Sequence, residues 1–547
     1  MSAASVPTAS GLFDKQRYIA KPGFSRWLVP PCALSIHLCI GMAYGFSVFW
    51  LPLHKALGIT KSIDCPKDIS FLDSVFTTSC DWKISMLGWM YTLFFVFLGT
   101  ASAIWGGWLE RVGPRKAGFA AAFCWCGGLI ISAFGVTIHQ IWLLWVGSGI
   151  IGGLGLGLGY ISPVSTLIKW FPDRRGMATG MAIMGFGGGA MIGAPLADRL
   201  MKFYQTPSSI GVWQTFLTLA AIYFVYMICG SLGYRLPAAA WKPQGWQPKV
   251  GKALITTRNV DLNVATVTPQ FWYVWGVLCL NVTAGIGIIG MASPLLQEVF
   301  GGRLIGVNVP FEQLSVDQHA AIATLAAGFT GLLSLFNIAG RFCWASASDY
   351  LGRKATYMIF LCLGIVLYSS VPWSAATGNL ALFVGAICII ISMYGGGFST
   401  VPAYLADLFG TRMVGAIHGR LLTAWSAAGI FGPVIVNYIR EYQLSHGVAH
   451  AQVYTITMYI LAGVLVLGLI CNILVRPVAE KNFMTPEQEA RLDAAGAQAG
   501  AAAPATAGDG APSPGWVLAA AWIAVGVPIA IGVWVTLKQA AKLFGLG

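Results

Sequence analysis

One arginine stands where an arginine is expensive. Arg341 lies in the apolar run GLLSLFNIAGRFCWASASDYLGRK that follows Thr330, eight residues before Asp349. On a helix rising ~1.5 Å per residue it sits roughly 12 Å in from the charged end. A cation at that depth of a membrane costs about 2.5 kcal/mol or more, so it needs a partner or a task. Its guanidinium is a planar fork that pairs bidentately with a carboxylate, and the contact is strong in a low-dielectric cavity. The acids of the apolar stretches, Glu298 and Asp407, fall near segment ends. An anionic ligand is therefore the expected partner, with a structural ion pair as the alternative.

Few other polar side chains share these stretches. Tyr44, Tyr160 and Tyr394 each stand beside glycine or small residues. Each phenol either donates to a carboxylate oxygen or packs as an ordinary aromatic. Asn337 is one helical turn before Arg341 and is placed to orient it or to touch a ligand. His37 lies seven residues before Tyr44, on roughly the same helical face. An intramembrane histidine is a candidate carrier of a coupling proton, or else a hydrogen-bonded structural residue.

The elements that must position these groups are helices in a bilayer. Of 547 residues 56% are hydrophobic and 10% charged, where a soluble protein carries about a quarter charged. Apolar runs of about 20 residues recur near 27–53, 84–108, 116–136, 141–168, 176–199, 213–236, 271–299, 320–345, 355–374, 379–404, 412–438 and 452–475, with a thirteenth near 516–537. No alternation of period two accompanies them, so an all-α membrane protein is expected and not a barrel. The first run is too long and too far from the start for a signal peptide. With the N-terminus in the cytoplasm, 22 lysines and arginines fall on the inner side and 8 on the outer before the last run. This follows the positive-inside rule and explains the net charge of +13 without nucleic acid.

Two charged turns repeat at one spacing. GWLERVGPRK matches SASDYLGRK, with Glu110 and Asp349 separated by 349 − 110 = 239. KWFPDRRGMATG matches DLFGTRMVGAIHG, with Phe171 and Phe409 separated by 409 − 171 = 238. Two unrelated pairs at nearly one offset indicate a duplicated six-helix unit. The expected organisation is a cytoplasmic segment 1–26, a six-helix bundle 27–236, a cytoplasmic linker 237–270, a second bundle 271–475, an Ala/Gly/Pro-rich linker 476–514 and an added membrane helix 515–537. That last helix sends the C-terminus outside. Glu110, Arg111, Gly113 and Arg115 in the first turn, with Asp349, Gly352 and Arg353 in the second, are candidates for a latch between the halves. A charge cluster serving only membrane topology is the alternative. Glycine stripes at 149, 153, 157 and at 185, 189, 193 predict close helix packing.

Ten of the 12 cysteines fall in or beside apolar runs and read as small hydrophobes. Cys65 and Cys80 share the first outer loop, where an oxidising compartment permits a disulfide; their pairing stays open at this level.

Six and six helices about a central linker match the major facilitator superfamily, whose loop signature GWLERVGPRK resembles. AYGFSVFWLPL at 43–53, GLGYISPVSTLIKWFPDRRGMATG at 157–180, FNIAGRFCWASASDYLGRK at 336–354 and GRLLTAWSAAGIFGPVIVNYIREYQ at 419–443 resemble its oxalate:formate antiporter family, relatives of the monocarboxylate transporters. The resemblance implies secondary active transport of small carboxylates by alternating access, with Arg341 on the carboxylate and Tyr44, Tyr160 and Tyr394 around it. Two departures refine this. Trp425 stands where oxalate exchangers have a lysine, which favours a monoanion such as lactate, pyruvate, formate or acetate over a dianion. Asn337 stands where mammalian monocarboxylate carriers have an aspartate, so proton coupling would pass through His37 or the substrate itself.

The expectation is thus a multi-pass transporter of the inner (plasma) membrane taking a small carboxylate and a proton. An oxalate/formate exchanger is the alternative within the class, and a carboxylate-sensing receptor the alternative outside it. No metal cluster, nucleophile constellation, nucleotide site or cofactor motif is present, so an enzyme is not expected, and no obligate protein partner is evident.

Overall fold

The computed structural model describes residues 11–59, 63, 65, 66, 69–238, 241–245, 254–498 and 512–543. Parts of the two expected linkers, 239–240, 246–253 and 499–511, and Lys61 and Lys67 of the loop before α2 lie outside the described residues.

Thirteen long helical columns account for the expected apolar runs. They are α1 (Val29–Ile40), α2 (Ile84–Val112), α3 (Pro114–Thr137), α4 (Gly153–Trp170), α5 (Arg175–Tyr204), α6 (Val212–Gly233), α7 (Pro269–Phe300), α8 (Val316–Leu351), α9 (Arg353–Ala376), α10 (Leu380–Phe409), α11 (Val414–Leu421 and Thr423–Ser445), α12 (Thr455–Leu474) and α13 (Gly515–Leu543). Among the described residues twelve helices are long and apolar enough to cross a membrane, the last of them Gly515–Lys538. α8, which carries Arg341, is not among the twelve. Its 36 residues nonetheless reach about 54 Å, well beyond a ~30 Å hydrocarbon core.

The duplication is visible in the packing. α1 lies on α5, α2 on α4 and α3 on α6; the second half repeats this with α7 on α11, α8 on α10 and α9 on α12. The halves meet along α5 with α8 and along α2 with α11. Each charged turn is made by a glycine in the left-handed region, Gly113 at φ +85° and Gly352 at φ +89°. Only glycine takes that conformation at little cost, so both turns break one helix and start the next within a single residue. The glycine stripes are packing surfaces. A Cβ on Gly157 would overlap the Leu98 carbonyl of α2, and one on Gly189 the Leu38 carbonyl of α1.

α13 lies on the rim at the seam. Val525 packs with Leu34 and Leu38 of α1, and Thr536 meets Gly331 of α8.

Candidate functional site

α8 positions the central group. Arg341 is 0% exposed, held by its Nε donating to Asn337 Oδ1 at 2.8 Å and its Nη1 to the Ile183 carbonyl of α5 at 3.4 Å. Nη2 has no hydrogen-bond partner among the described residues. The guanidinium carbon lies 5.3 Å from the Phe398 ring and 5.7 Å from the Phe186 ring. Neither acid considered from the sequence reaches it. Glu298 accepts from Arg440 and from Tyr454 Oη at 2.7 Å, and Asp407 from Arg175 at 3.0 Å.

Above Arg341, away from the charged turns, lies a cavity of about 90 Å³ lined by Tyr44, Gly187, Thr330, Ser334 and Asn337. Arg341 stands directly behind Asn337 and Gly187. A larger cavity of about 390 Å³, lined by Tyr44, Trp50, Tyr91, Met291 and Pro433, continues toward the opposite end of the bundle. No charged side chain lines either cavity among the described residues. Tyr44 and Tyr394 share a hydrogen bond of 3.1 Å that joins α10 to the end of the α1 column.

Tyr160 lies lower, its hydroxyl without a partner among the described residues. Its ring sits 5.3 Å from Trp425, which packs on Phe398 at 4.3 Å and on Phe186 at 5.4 Å. These aromatics form a floor beneath the guanidinium.

His37 and Tyr44 both pack on Phe186 of α5, their rings 6.4 Å and 5.0 Å from it. The α-helix ends at Ile40, and Gly41–Phe49 continues it as a 3-10 helix. The His37 ring is enclosed in the first half, with Nδ1 against the Ala182 carbonyl and Nε2 3.2 Å from the Tyr160 carbonyl.

At the charged turns, Asp349 crosses the seam. It accepts from the backbone N–H groups of Gly176 at 2.8 Å and Met177 at 3.0 Å, at the start of α5, and pairs with Arg353 at 2.6 Å. Asp407 joins Arg175 of the first half to Arg353 of the second. Glu110 stays in its own half, bound to Ser165 at 2.9 Å and Lys169 at 2.6 Å. Arg111 is exposed. Arg115 donates to the carbonyls of Leu12 and Leu232, tying the N-terminal segment to the end of α6. Arg175 and Asp407 lie in the repeated loops yet carry no sign in the sequence of which partner they take.

In the loop before α2 Cys65 is joined to Cys80, Cα atoms 5.0 Å apart. Asp81 beside them accepts from the N–H groups of Leu57 and Ile63.

The model of the Major Facilitator Superfamily matches residues 33–433, and the chain belongs to that family. It is 27% identical over 283 residues to the oxalate:formate antiporter of Oxalobacter formigenes, covering 52% of this chain and 59% of that protein. To apicoplast pyruvate carrier 1 of Toxoplasma gondii it is 25% identical, covering 56% and 61%. To monocarboxylate transporter 4 of Rattus norvegicus it is 24% identical, covering 65% and 70%. The chain thus spans about three-fifths of the length of the first of these relatives. Two solved structures share the fold: the transporter FucP in its outward conformation, TM-score 0.54, 12% identity, covering 82% of this chain and 99% of that one; and the human organic anion transporter MFSD10, TM-score 0.55, 14% identity, covering 83% and 100%.

Proposed function

We propose that this member of the Major Facilitator Superfamily carries small monocarboxylates, of the size of formate, acetate, lactate or pyruvate, across an inner (plasma) membrane by alternating access. One observation carries the reading: a fully buried guanidinium keeps Nη2 unpartnered immediately behind a cavity of about 90 Å³. A carboxylate arriving there gains a charge-assisted contact and removes an uncompensated buried charge. The cavity has the scale of a few water molecules, hence of a two- or three-carbon acid. A second carboxylate on the ligand would meet no cation in the cavity walls, which argues against a dianion. Asn337 fixes the arginine fork, and Tyr44, Tyr394 and Tyr160 offer phenols around it.

The charged turns mark the cytoplasmic end, because most basic residues gather there. On that reading the N-terminus is inside, α13 carries the chain outward, and residues 27–236 and 271–475 are the two rocking bundles on either side of linker 237–270. Residues 476–514 then lead to α13. With the turns latched and the cavities continuing toward the opposite end, this is an outward-facing form. Proton symport is the coupling favoured for a monoanion. Anion exchange is the second reading, and the similarity to an oxalate:formate antiporter supports it.

Arg341→Lys keeps the charge and loses the fork. A lost charge-assisted hydrogen bond is worth about 1.5–3 kcal/mol, so uptake of radiolabelled lactate into proteoliposomes falls about tenfold to a hundredfold while the protein still inserts. Unchanged uptake removes Arg341 from the site. Accumulation driven by an inward proton gradient alone identifies symport; dependence on internal formate or oxalate identifies exchange.

A further inference from the structure

A second buried imidazole faces the seam, and the carboxylate site makes no use of it. His418 is on α11, 1% exposed, and neither Nδ1 nor Nε2 has a hydrogen-bond partner among the described residues. It lies between two glycines pressed on the other half, Gly415 against Glu110 and Ser165, and Gly419 against the Ser102 carbonyl. Across the seam its ring is 6.0 Å from that of Tyr160, whose hydroxyl is also unpartnered, and Tyr160 stacks on His37 at 5.3 Å. Trp425 is seven residues further along α11, on nearly the same face and about 10 Å away. His418 is therefore beneath the aromatic floor, on the side of the charged turns.

A closed seam holds this imidazole neutral, since a buried imidazolium needs acceptors or an opposite charge. Among the described residues no group accepts a hydrogen bond from it, and the acids nearby are already paired. α4 contributes Tyr160, and its Lys169 is committed to Glu110. α2 contributes Glu110, bound to Lys169 and Ser165, and Arg111, which is exposed. α10 contributes the neutral phenol Tyr404 and Asp407, which is held by Arg175 and Arg353. His37 of α1 has its nitrogens on backbone carbonyls, and Arg341 of α8 adds a positive charge above the floor. On α11 itself Arg420 is taken by Asn263 and Thr266.

We propose that His418 is a proton-binding site of the transport cycle, loaded from the solution at the charged-turn end when α4 and α11 part and emptied before they close again. The proton moves from water to one ring nitrogen and returns to water; no other bond changes. The inference rests on the alternating-access reading above. It makes acid on that side hold the protein open there.

The test is a histidine titration by NMR on the full chain in nanodiscs with ¹³C-labelled imidazoles, the His418 signal being the one lost in His418→Gln. In the latched wild type this signal stays fixed between about pH 5 and 8, and in Asp349→Asn, which unlatches the turns, it titrates near the ordinary value of about 6.5. A signal that titrates alike in both proteins, or in neither, overturns the proposal. In proteoliposomes, acid at the charged-turn side slows lactate counterflow several-fold in wild type and not in His418→Gln; equal slowing in both also overturns it. The titration needs no substrate, so absence of lactate flux at every pH would sink the carboxylate reading alone.

Discussion

The two charged turns are built alike and used differently. Each is broken by a glycine at positive φ three residues after an acid. Each sends a cation to carbonyls at the end of its half's sixth helix, Arg115 to Leu232 and Tyr234, Lys354 to Ile473 and Val475. They part in their charges: Pro114 stands where the second turn has Arg353 (353 − 114 = 239), and Met413 where the first half has Arg175 (413 − 175 = 238). Lys169 and Asp407 occupy matching places in the repeat (407 − 169 = 238) and carry opposite charge. Glu110 finds Lys169 in its own half and closes there. Asp349 finds a second acid instead, so it reaches across to the start of α5, where two N–H groups and the helix dipole receive it. Arg353 sits between the two acids, and Arg175 completes the crossing. A pair inside one half survives when the halves part, whereas a pair across the seam must break. These changes of charge turn a copied element that closes within its own half into one that joins the two halves.

The comparison breaks hardest at Asp349. Asp349→Asn leaves the start of α5 without its anion and Arg353 with Asp407 alone, and loss of one partner of a buried pair costs about 3–5 kcal/mol. The form open at the charged-turn end should gain more than a hundredfold in population, read by electron-spin distances between labels on α4 and α10. An unchanged distance distribution would mean the crossing does not hold the halves. Arg175→Gln is milder, because Asp407 keeps Arg353. A loss of about 1–2 kcal/mol gives roughly a tenfold shift in the same measurement. Glu110→Gln should shift no distance at all. Its partner Lys169 is 27% exposed, so the pair contributes about 1 kcal/mol or less and the thermal midpoint falls by only a degree or two. A distance change in Glu110→Gln as large as in Asp349→Asn would erase the distinction between the turns.

Hydropathy and rare charges are local properties, so the helices, the duplication and the isolation of Arg341 were legible in the chain alone. So was the place of Asn337, because one helical turn fixes its distance to Arg341. The 3-10 winding from Gly41 to Phe49 was not, since it depends on how that segment packs on α5. The exclusive burial of His418 was equally hidden. A histidine in GAIHGRLL, inside the apolar run 412–438, shows nothing of its surroundings until α4 is laid against it.

The amino-acid order by itself determined which segments cross a bilayer, that six of them are repeated, and that one cation is left deep among them with no acid nearby. Tertiary structure alone decided the partners: Asp349 with α5, Asp407 between Arg175 and Arg353, Cys65 with Cys80, and the aromatic floor of Trp425, Phe398 and Phe186. The physical reason is one of range. Partition into a membrane depends on about twenty consecutive residues, whereas an ion pair depends on two side chains meeting within about 4 Å. In this protein those side chains come from helices up to 232 residues apart in the chain.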